Sequence, residues 1–316
     1  MKSNGTYARF FLALSAIILS LASIACAATT DFPKKIGITY VKSPLNVPSI
    51  IQKEKNFFQD AFPGVSLIFP ELNAGPRQTA AMAAGEVQFA NCLGATSAIL
   101  AASEGLPLRI IGIYSRAPKA FVIVVRNPAI KTVADLKGRS IGGPKGTILH
   151  QLLVAALKRS KIRPTEVNFI NMDIPSAAAA LQKGSIQAAL LAGPAAYNAT
   201  ENGGIVLVDG EGLVDATTVI ATTEDFAKKY PAAIAKFLTV HHRALEFMEQ
   251  KPQEAMRIAG EATGLPPKAV KAMYPLYDFD PTIRKSDIEE LNRTQDFMME
   301  FGLQRKRINI DDLFIN

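Results

Sequence analysis

Tryptophan is absent from the 316 residues, cysteine occurs twice and histidine three times. Each scarcity removes a class of function. Without tryptophan, an aromatic cage for a quaternary ammonium would have to be built from tyrosine and phenylalanine. Cys26 lies in an amino-terminal apolar stretch and Cys92 stands alone after it, so no intramolecular disulfide can hold the mature chain. Stability must come from core burial, which a chain of this length at 48% hydrophobic can supply, and which favours two domains over one. His241 and His242 are neighbours facing different sides of one helix, and His150 is remote in sequence, so no convergent metal set is visible. Basic residues are scattered rather than clustered, which argues against a nucleic-acid surface.

What is present begins with an address. Lys2 and Arg9 precede an apolar run over residues 10–22, followed by Ala25-Cys26-Ala27 and the polar Thr29-Thr30-Asp31. That is the layout of a secretory signal peptide over residues 1–27, cleaved after Ala27. The run is short for a membrane span. A lipoprotein reading would acylate Cys26, but Ser23 stands where a bulky aliphatic is usual. Loss of Lys2 and Arg9 leaves 33 basic and 28 acidic side chains, a formal charge of +5 that attracts anions mildly.

From Lys34 onward short apolar strands alternate with helices. Strands are expected over residues 36–41, 65–69, 87–91, 108–114, 121–126, 139–142, 167–171, 187–192, 205–208 and 218–221. One helix is expected to run through Gln59, another to open at Gly75-Pro76, and others to cover 147–160 and 176–183. After Thr223 the chain turns helical, with Pro231 at one start. Ile234, Phe237, Leu238, His241, Leu245 and Met248 share that helix's face, and a Ser286–Glu289 capping box opens a last helix before Gly302. This alternation implies α/β architecture, with ligands beyond the carboxyl ends of the strands. An internal echo supports two such lobes. Gly85, Gln88 and Gly94 recur at the same spacing as Gly184, Gln187 and Gly193, each set leading into a helix.

The segment Gly142-Gly143-Pro144-Lys145-Gly146-Thr147-Ile148-Leu149-His150 joins a strand to a helix. Its glycines permit positive φ and close approach to a ligand, Thr147 can cap the helix, and the helix start favours an anion. A phosphate loop is excluded because Pro144 occupies the lysine position of G-x-x-x-x-G-K-[ST]. His150 either donates to a ligand or packs on the sheet. Cys92, at a buried strand end, reads as an inert small hydrophobe. Arg77, Arg116 and Lys42 are candidate charge partners for the anion.

Several motifs occur in order: Gly75-Pro76-Arg77-Gln78, the run from Ala83 through Gly85-Glu86-Val87-Gln88 to Ala90, Ala134-Asp135-Leu136-Lys137-Gly138, and Lys145-Gly146-Thr147 with His150 and Leu152-Leu153. Together they resemble the substrate-binding proteins of ABC importers for aliphatic sulfonates, taurine and nitrate, with thiamine-precursor-binding relatives in the same group. The likeness spans residues 34–254. It implies a type II periplasmic binding protein: two α/β lobes, a two-strand hinge near residues 115–119 and 213–218, and a helical carboxyl-terminal tail. Lobe 1 would comprise 33–118 plus 217–316, and lobe 2 would be 119–216. The residues carried over as ligand-binding are Ser43, Asn46, Gly75, Pro76, Gly94, Ala95, Thr96, Ser115, Lys145, Gly146, Thr147, His150, Gly193 and Pro194.

The implied protein is a periplasmic monomer without cofactor or catalytic activity. It passes a small anionic solute to a permease and ATPase. Departures from the family pattern are Gln88 and Gln187 where Asp is frequent, and Ala192-Gly193 where Trp and Asp often precede the proline. The small residues imply a roomier or differently shaped pocket on the lobe 2 side. Pyrimidine binding and ligand sensing for a membrane sensor remain as alternatives. A pyrimidine-synthesising enzyme is disfavoured by the single mature cysteine and the export signal.

Overall fold

The computed structural model describes residues 32–315. The expected signal peptide and Cys26 lie outside the described residues.

The first half of the chain runs β1 (Lys35–Gly37), α1 (Val47–Glu54), α2 (Phe57–Ala61), β2 (Ser66–Ile68), α3 (Gly75–Ala83), β3 (Ala90–Gly94), α4 (Ala95–Ser103) and β4 (Leu108–Ser115). The chain then crosses to a second sheet. This comprises β5 (Phe121–Val125), β6 (Ser140–Gly143), α5 (Ile148–Arg159), β7 (Asn168–Asn171), α6 (Ile174–Gln182), β8 (Ala188–Ala192), α7 (Gly193–Glu201) and β9 (Ile205–Asp209). It returns through β10 (Thr218–Thr223) and ends in α8 (Glu224–Lys229), α9 (Pro231–Gln250), α10 (Pro252–Thr263), α11 (Pro267–Met273) and α12 (Lys285–Glu300).

The two sheets repeat one plan. The second has the order β7-β6-β8-β5-β9, with β5 antiparallel to both neighbours. In the first, β3-β10-β4 form a continuous sheet with β10 antiparallel, and the β1-β2 pair joins it through an Ile38–Phe89 bridge. The internal echo is therefore structural. Gly85 and Gly184 both close a helix at positive φ (73° and 76°). The Gln88 Oε1 accepts the Gly37 N–H at 2.7 Å, and Gln187 Oε1 accepts the Ser140 N–H at 3.0 Å. Glutamine at these two positions pins a neighbouring strand in each lobe.

Each sheet is covered on both faces, as short strands with few charges require. In lobe 1, Ile50, Phe58, Phe89 and Phe237 pack one face, and Leu93, Ile99, Leu291 and Met298 the other. In lobe 2, Ile123 and Leu190 pack against Leu152 of α5 on one face, while Val124 and Leu191 pack against Leu181 of α6 on the other.

Two crossings join the lobes and are tied together. Ser115 and Thr218 hydroxyls lie 2.8 Å apart, and the Ala117 N–H donates to Asp215 O at 3.2 Å. The tail runs beside them. Arg116 and Asp278 exchange backbone hydrogen bonds of 2.8 and 2.9 Å, and α12 touches both lobes. Its Leu291 and Met298 lie in the lobe 1 core, while Thr294 accepts a 2.9 Å bond from Gln151 of α5.

Some expected boundaries move. The helix expected through Gln59 divides because Asn56 adopts φ 56°. Strand 87–91 becomes Ala90–Gly94, since Gln88 and Phe89 N–H groups are spent on Gly37 O. The last helix starts at Lys285, and its Asp287 carboxylate, not a Ser286–Glu289 box, takes the Arg284 N–H at 2.7 Å. On α9 the buried face is Ala233, Phe237, Val240, His241, Ala244 and Met248, so Ile234, Leu238 and Leu245 lie at its margins.

Candidate functional site

Four helix starts meet where the two sheets face each other: α1 and α4 of lobe 1, α5 and α7 of lobe 2. In none does the N-cap residue's own side chain accept an amide, although the Ser49 N–H of α1 is taken by the Tyr114 hydroxyl and the Ala95 N–H of α4 by Thr217 O. Leading amide groups of a helix are left without intrahelical partners and carry its positive dipole end.

The α5 junction corrects two expectations. Gly142 and Gly143 are glycine for packing: a Cβ on either would lie 2.8 Å from Ile186 and Met172, or 2.5 Å from Leu190. Gly146 alone supplies the left-handed turn, at φ 72° with open space around it. Thr147 occupies the cap position, yet its hydroxyl donates backwards to Pro144 O at 2.9 Å and caps no N–H. The loop is braced by the Lys145 N–H donating to Asn171 Oδ1 at 2.9 Å and the Gly146 N–H donating to His150 Nδ1 at 3.3 Å.

His150 shows the packing alternative. Its ring stacks on Phe169 at 4.8 Å and meets the edge of Phe297. Burial, then the Lys145 charge, lowers its pKa to about 4. It is neutral at neutral pH and holds the loop rather than supplying charge.

Across the cleft, Pro44 lies against Gly193. A Cβ on Gly193 would meet Pro44 Cβ at 2.4 Å and Pro44 backbone atoms at 2.5 Å, and Gly193 itself sits at φ 55°. The small residue therefore admits the opposing loop, which shapes this side of the cleft. Similarly, a Cβ on Gly94 would stand 3.8 Å from Ile148 Cδ1, which sets the α4 and α5 starts face to face. Ala95 donates its N–H to Thr217 O at 3.0 Å, and Thr96 is buried beside it. Buried Asn46 ties its own loop by donating to Ser43 O at 2.9 Å, while Ser43 is exposed. Gly75 is glycine because Ser97 Oγ stands 2.2 Å from its missing Cβ, which holds α3 against α4; Pro76 is exposed. Pro194 lies in the first turn of α7.

The three candidate cations do not converge. Lys42 pairs with Glu71 at 3.2 Å, and Arg77 is exposed. Arg116 is buried on Asp287, Asp278 and the carbonyls of Asp280 and Thr282. Among the described residues no cluster of histidine, cysteine, aspartate and glutamate could hold a metal.

Tyr114, Thr217 and Tyr277, not singled out from the sequence, lie close to Cys92 or to the helix starts. The Tyr114 hydroxyl accepts the Ser49 N–H at the start of α1, at 3.0 Å. Cys92 sits at φ 73°, and burial raises its thiol pKa to about 12, so it is a protonated, unreactive group. Thr217, whose carbonyl takes the Ala95 N–H, and Tyr277, which stacks on Phe279 next to Tyr114, bring two further buried hydroxyls close to these groups. Tertiary contact alone brings these positions together, and Tyr277 lies past the stretch that carries the family motifs.

Comparison with known proteins agrees with this geometry. The family described as NMT1/THI5 like matches residues 44–255. The taurine-binding periplasmic protein of Escherichia coli (strain K12) is 30% identical over 230 residues, covering 72% of this chain and 70% of that protein. The crystal structure of the periplasmic aliphatic sulphonate binding protein SsuA from Escherichia coli superposes with a TM-score of 0.81 at 25% identity, covering 90% of this chain and 93% of that one. The alkanesulfonate-binding protein SsuA from Xanthomonas axonopodis pv. citri, bound to MOPS, shares the fold at a TM-score of 0.82 and 23% identity, over 90% and 98% of the two chains. With two α/β lobes and a family match over residues 44–255, well over half of the chain, this protein belongs to the NMT1/THI5-like family.

Proposed function

We propose that the protein is the exported solute-binding component of an ABC importer, and that it captures a small organic sulfonate between its lobes for delivery to a membrane permease. The observation that supports this best is the set of four helix starts, two from each lobe, that meet across one cleft with no N-cap side chain covering their amides. Of these amides Ser49 and Ala95 are already paired, and the rest of the first turns are not paired among the described residues. A sulfonate offers three oxygens that only accept hydrogen bonds, and helix-start amides are donors already oriented toward an anion. No counter-charge is needed, which suits a site whose nearby cations are paired or exposed and whose histidine is neutral. Amides from both lobes can engage one ligand only when the lobes are together. The ligand therefore stabilises the closed arrangement by its differential affinity for it.

No step of bond making is assigned to the site. Its thiol is protonated, its histidine is occupied in bracing a loop, and the relatives compared above are named as binding proteins. Among the described residues no helix is long and apolar enough to cross a membrane. Delivery thus calls for a separate permease and ATPase.

Calorimetric titration of the mature chain with short sulfonates, taurine, nitrate and an aminopyrimidine tests the reading. Saturable heat with a sulfonate or taurine is expected. Heat with the pyrimidine alone would assign the protein to thiamine-precursor binding instead.

A further inference from the structure

Resting on that reading, we infer that Thr217 and Tyr277 are specificity-determining contacts at the cleft floor, and that the solute is a short sulfonate bearing a hydrogen-bonding group on its chain rather than a plain alkanesulfonate. Thr217 is 3% exposed and its Oγ1 has no hydrogen-bond partner among the described residues. The residue is held firmly: its carbonyl takes the Ala95 N–H at the α4 start, and Ala216 before it adopts φ 52°, a conformation costly for alanine. Tyr277 Oη is likewise buried and without a partner. The ring stacks on Phe279 at 5.5 Å, and Phe279 meets the edge of Tyr114 at 6.0 Å, so the hydroxyl is delivered inward by a rigid aromatic relay. The ring also packs against the cores of both lobes, which sets it at the seam between them.

Both groups border the same floor. Thr217 is tied to the α4 start through the Ala95 N–H, and Tyr277 stacks through Phe279 on Tyr114, whose hydroxyl takes the Ser49 N–H of α1. Tyr114 is satisfied by Ser49, whereas Tyr277 and Thr217 are not. Buried hydroxyls without partners are rare in folded proteins and each calls for an explanation; for this pair, beside two helix starts of the cleft, we assign a ligand group as the missing partner. A site built this way discriminates strongly against an analogue lacking the matching group, because its polar atoms then stay unpaired.

Isethionate and ethanesulfonate differ by one hydroxyl and provide the test. Wild type is expected to bind isethionate at least tenfold more tightly. Tyr277→Phe and Thr217→Val should each weaken isethionate roughly three- to tenfold, the scale of one neutral hydrogen bond, and leave ethanesulfonate within about twofold. Equal affinity of wild type for the two sulfonates overturns the inference while leaving sulfonate binding intact. So does a variant that shifts the melting temperature but neither affinity, since the hydroxyl would then serve packing or a buried water. If wild type binds no sulfonate or taurine at all, the functional reading fails and the inference falls with it.

Discussion

Arg116 stands on the first crossing, where a free guanidinium could have met an anionic solute. Instead all of its donors are used on the tail: both Asp287 oxygens at 2.6 Å, the Thr282 and Asp280 carbonyls at 2.8 and 2.9 Å, and Asp278 at 3.4 Å. With Asp287 almost fully buried, Arg116→Met should cost about 3–5 kcal/mol, because a carboxylate is left uncompensated. Arg116→Met with Asp287→Leu should recover a substantial part of that loss; urea unfolding midpoints measure both. His241 is a second buried polar residue. Its Nδ1 lies 3.1 Å from Gln52 Nε2, and burial, with the neighbouring His242 charge, lowers its pKa to about 3. Since an ordinary histidine titrates near 6.5, the unfolded chain takes up this proton first as pH falls. Its contribution to stability is thus complete above about pH 6.5 and is lost progressively toward pH 3. His150, lowered to about 4, acts with the same sign. His241→Asn keeps an acceptor toward Gln52 and removes the titration. It is expected to flatten the fall in melting temperature between pH 6 and pH 4, and an unchanged slope would contradict this assignment.

At the scale of elements, the two glutamines occupy matching places in matching sheets. Gln88→Ala and Gln187→Ala each leave one strand N–H without its side-chain acceptor, so each should cost about 1 kcal/mol. Similar losses by thermal unfolding are expected, and a large asymmetry would show that the repeated plan is not energetically repeated. Much of this plan is legible in the sequence, because strand–helix alternation is local and the recurring Gly-x-x-Gln spacing marks the same turn twice. The α1–α2 break is not legible, since Asn56 in the left-handed region is a choice made by packing around Phe57 and Phe58. Nor is the start of α12, where several residues could cap and Asp287 is selected by the need to meet Arg116. Within the site, the α4, α5 and α7 starts are visible because glycine, proline and threonine punctuate them. The hydroxyl floor is not visible: Tyr114, Thr217 and Tyr277 are far apart in the chain and share no local pattern. Gly193 is legible as small but not as to why, since the reason is Pro44 from the other lobe.

For the whole molecule, the account is of two lobes that hold a solute by coming together, with Pro44 seated on Gly193 when they do. Gly193→Ala places a methyl 2.4–2.5 Å from Pro44 and forces alanine to φ 55°, so it should block full closure and lower solute affinity tenfold or more. The arrangement on the hinge side adds to the expected two-strand connection. Asp278 is bonded to the first crossing at Arg116, and Glu290 of α12 accepts the Asp215 N–H of the second, so the proposed closure would have to carry the tail with both crossings. Small-angle X-ray scattering of the mature chain, with and without the sulfonate that gives saturable heat, tests the central claim most directly. The account predicts a ligand-dependent fall in the radius of gyration of wild type that Gly193→Ala does not show. Saturable heat with an unchanged radius of gyration in wild type would contradict it.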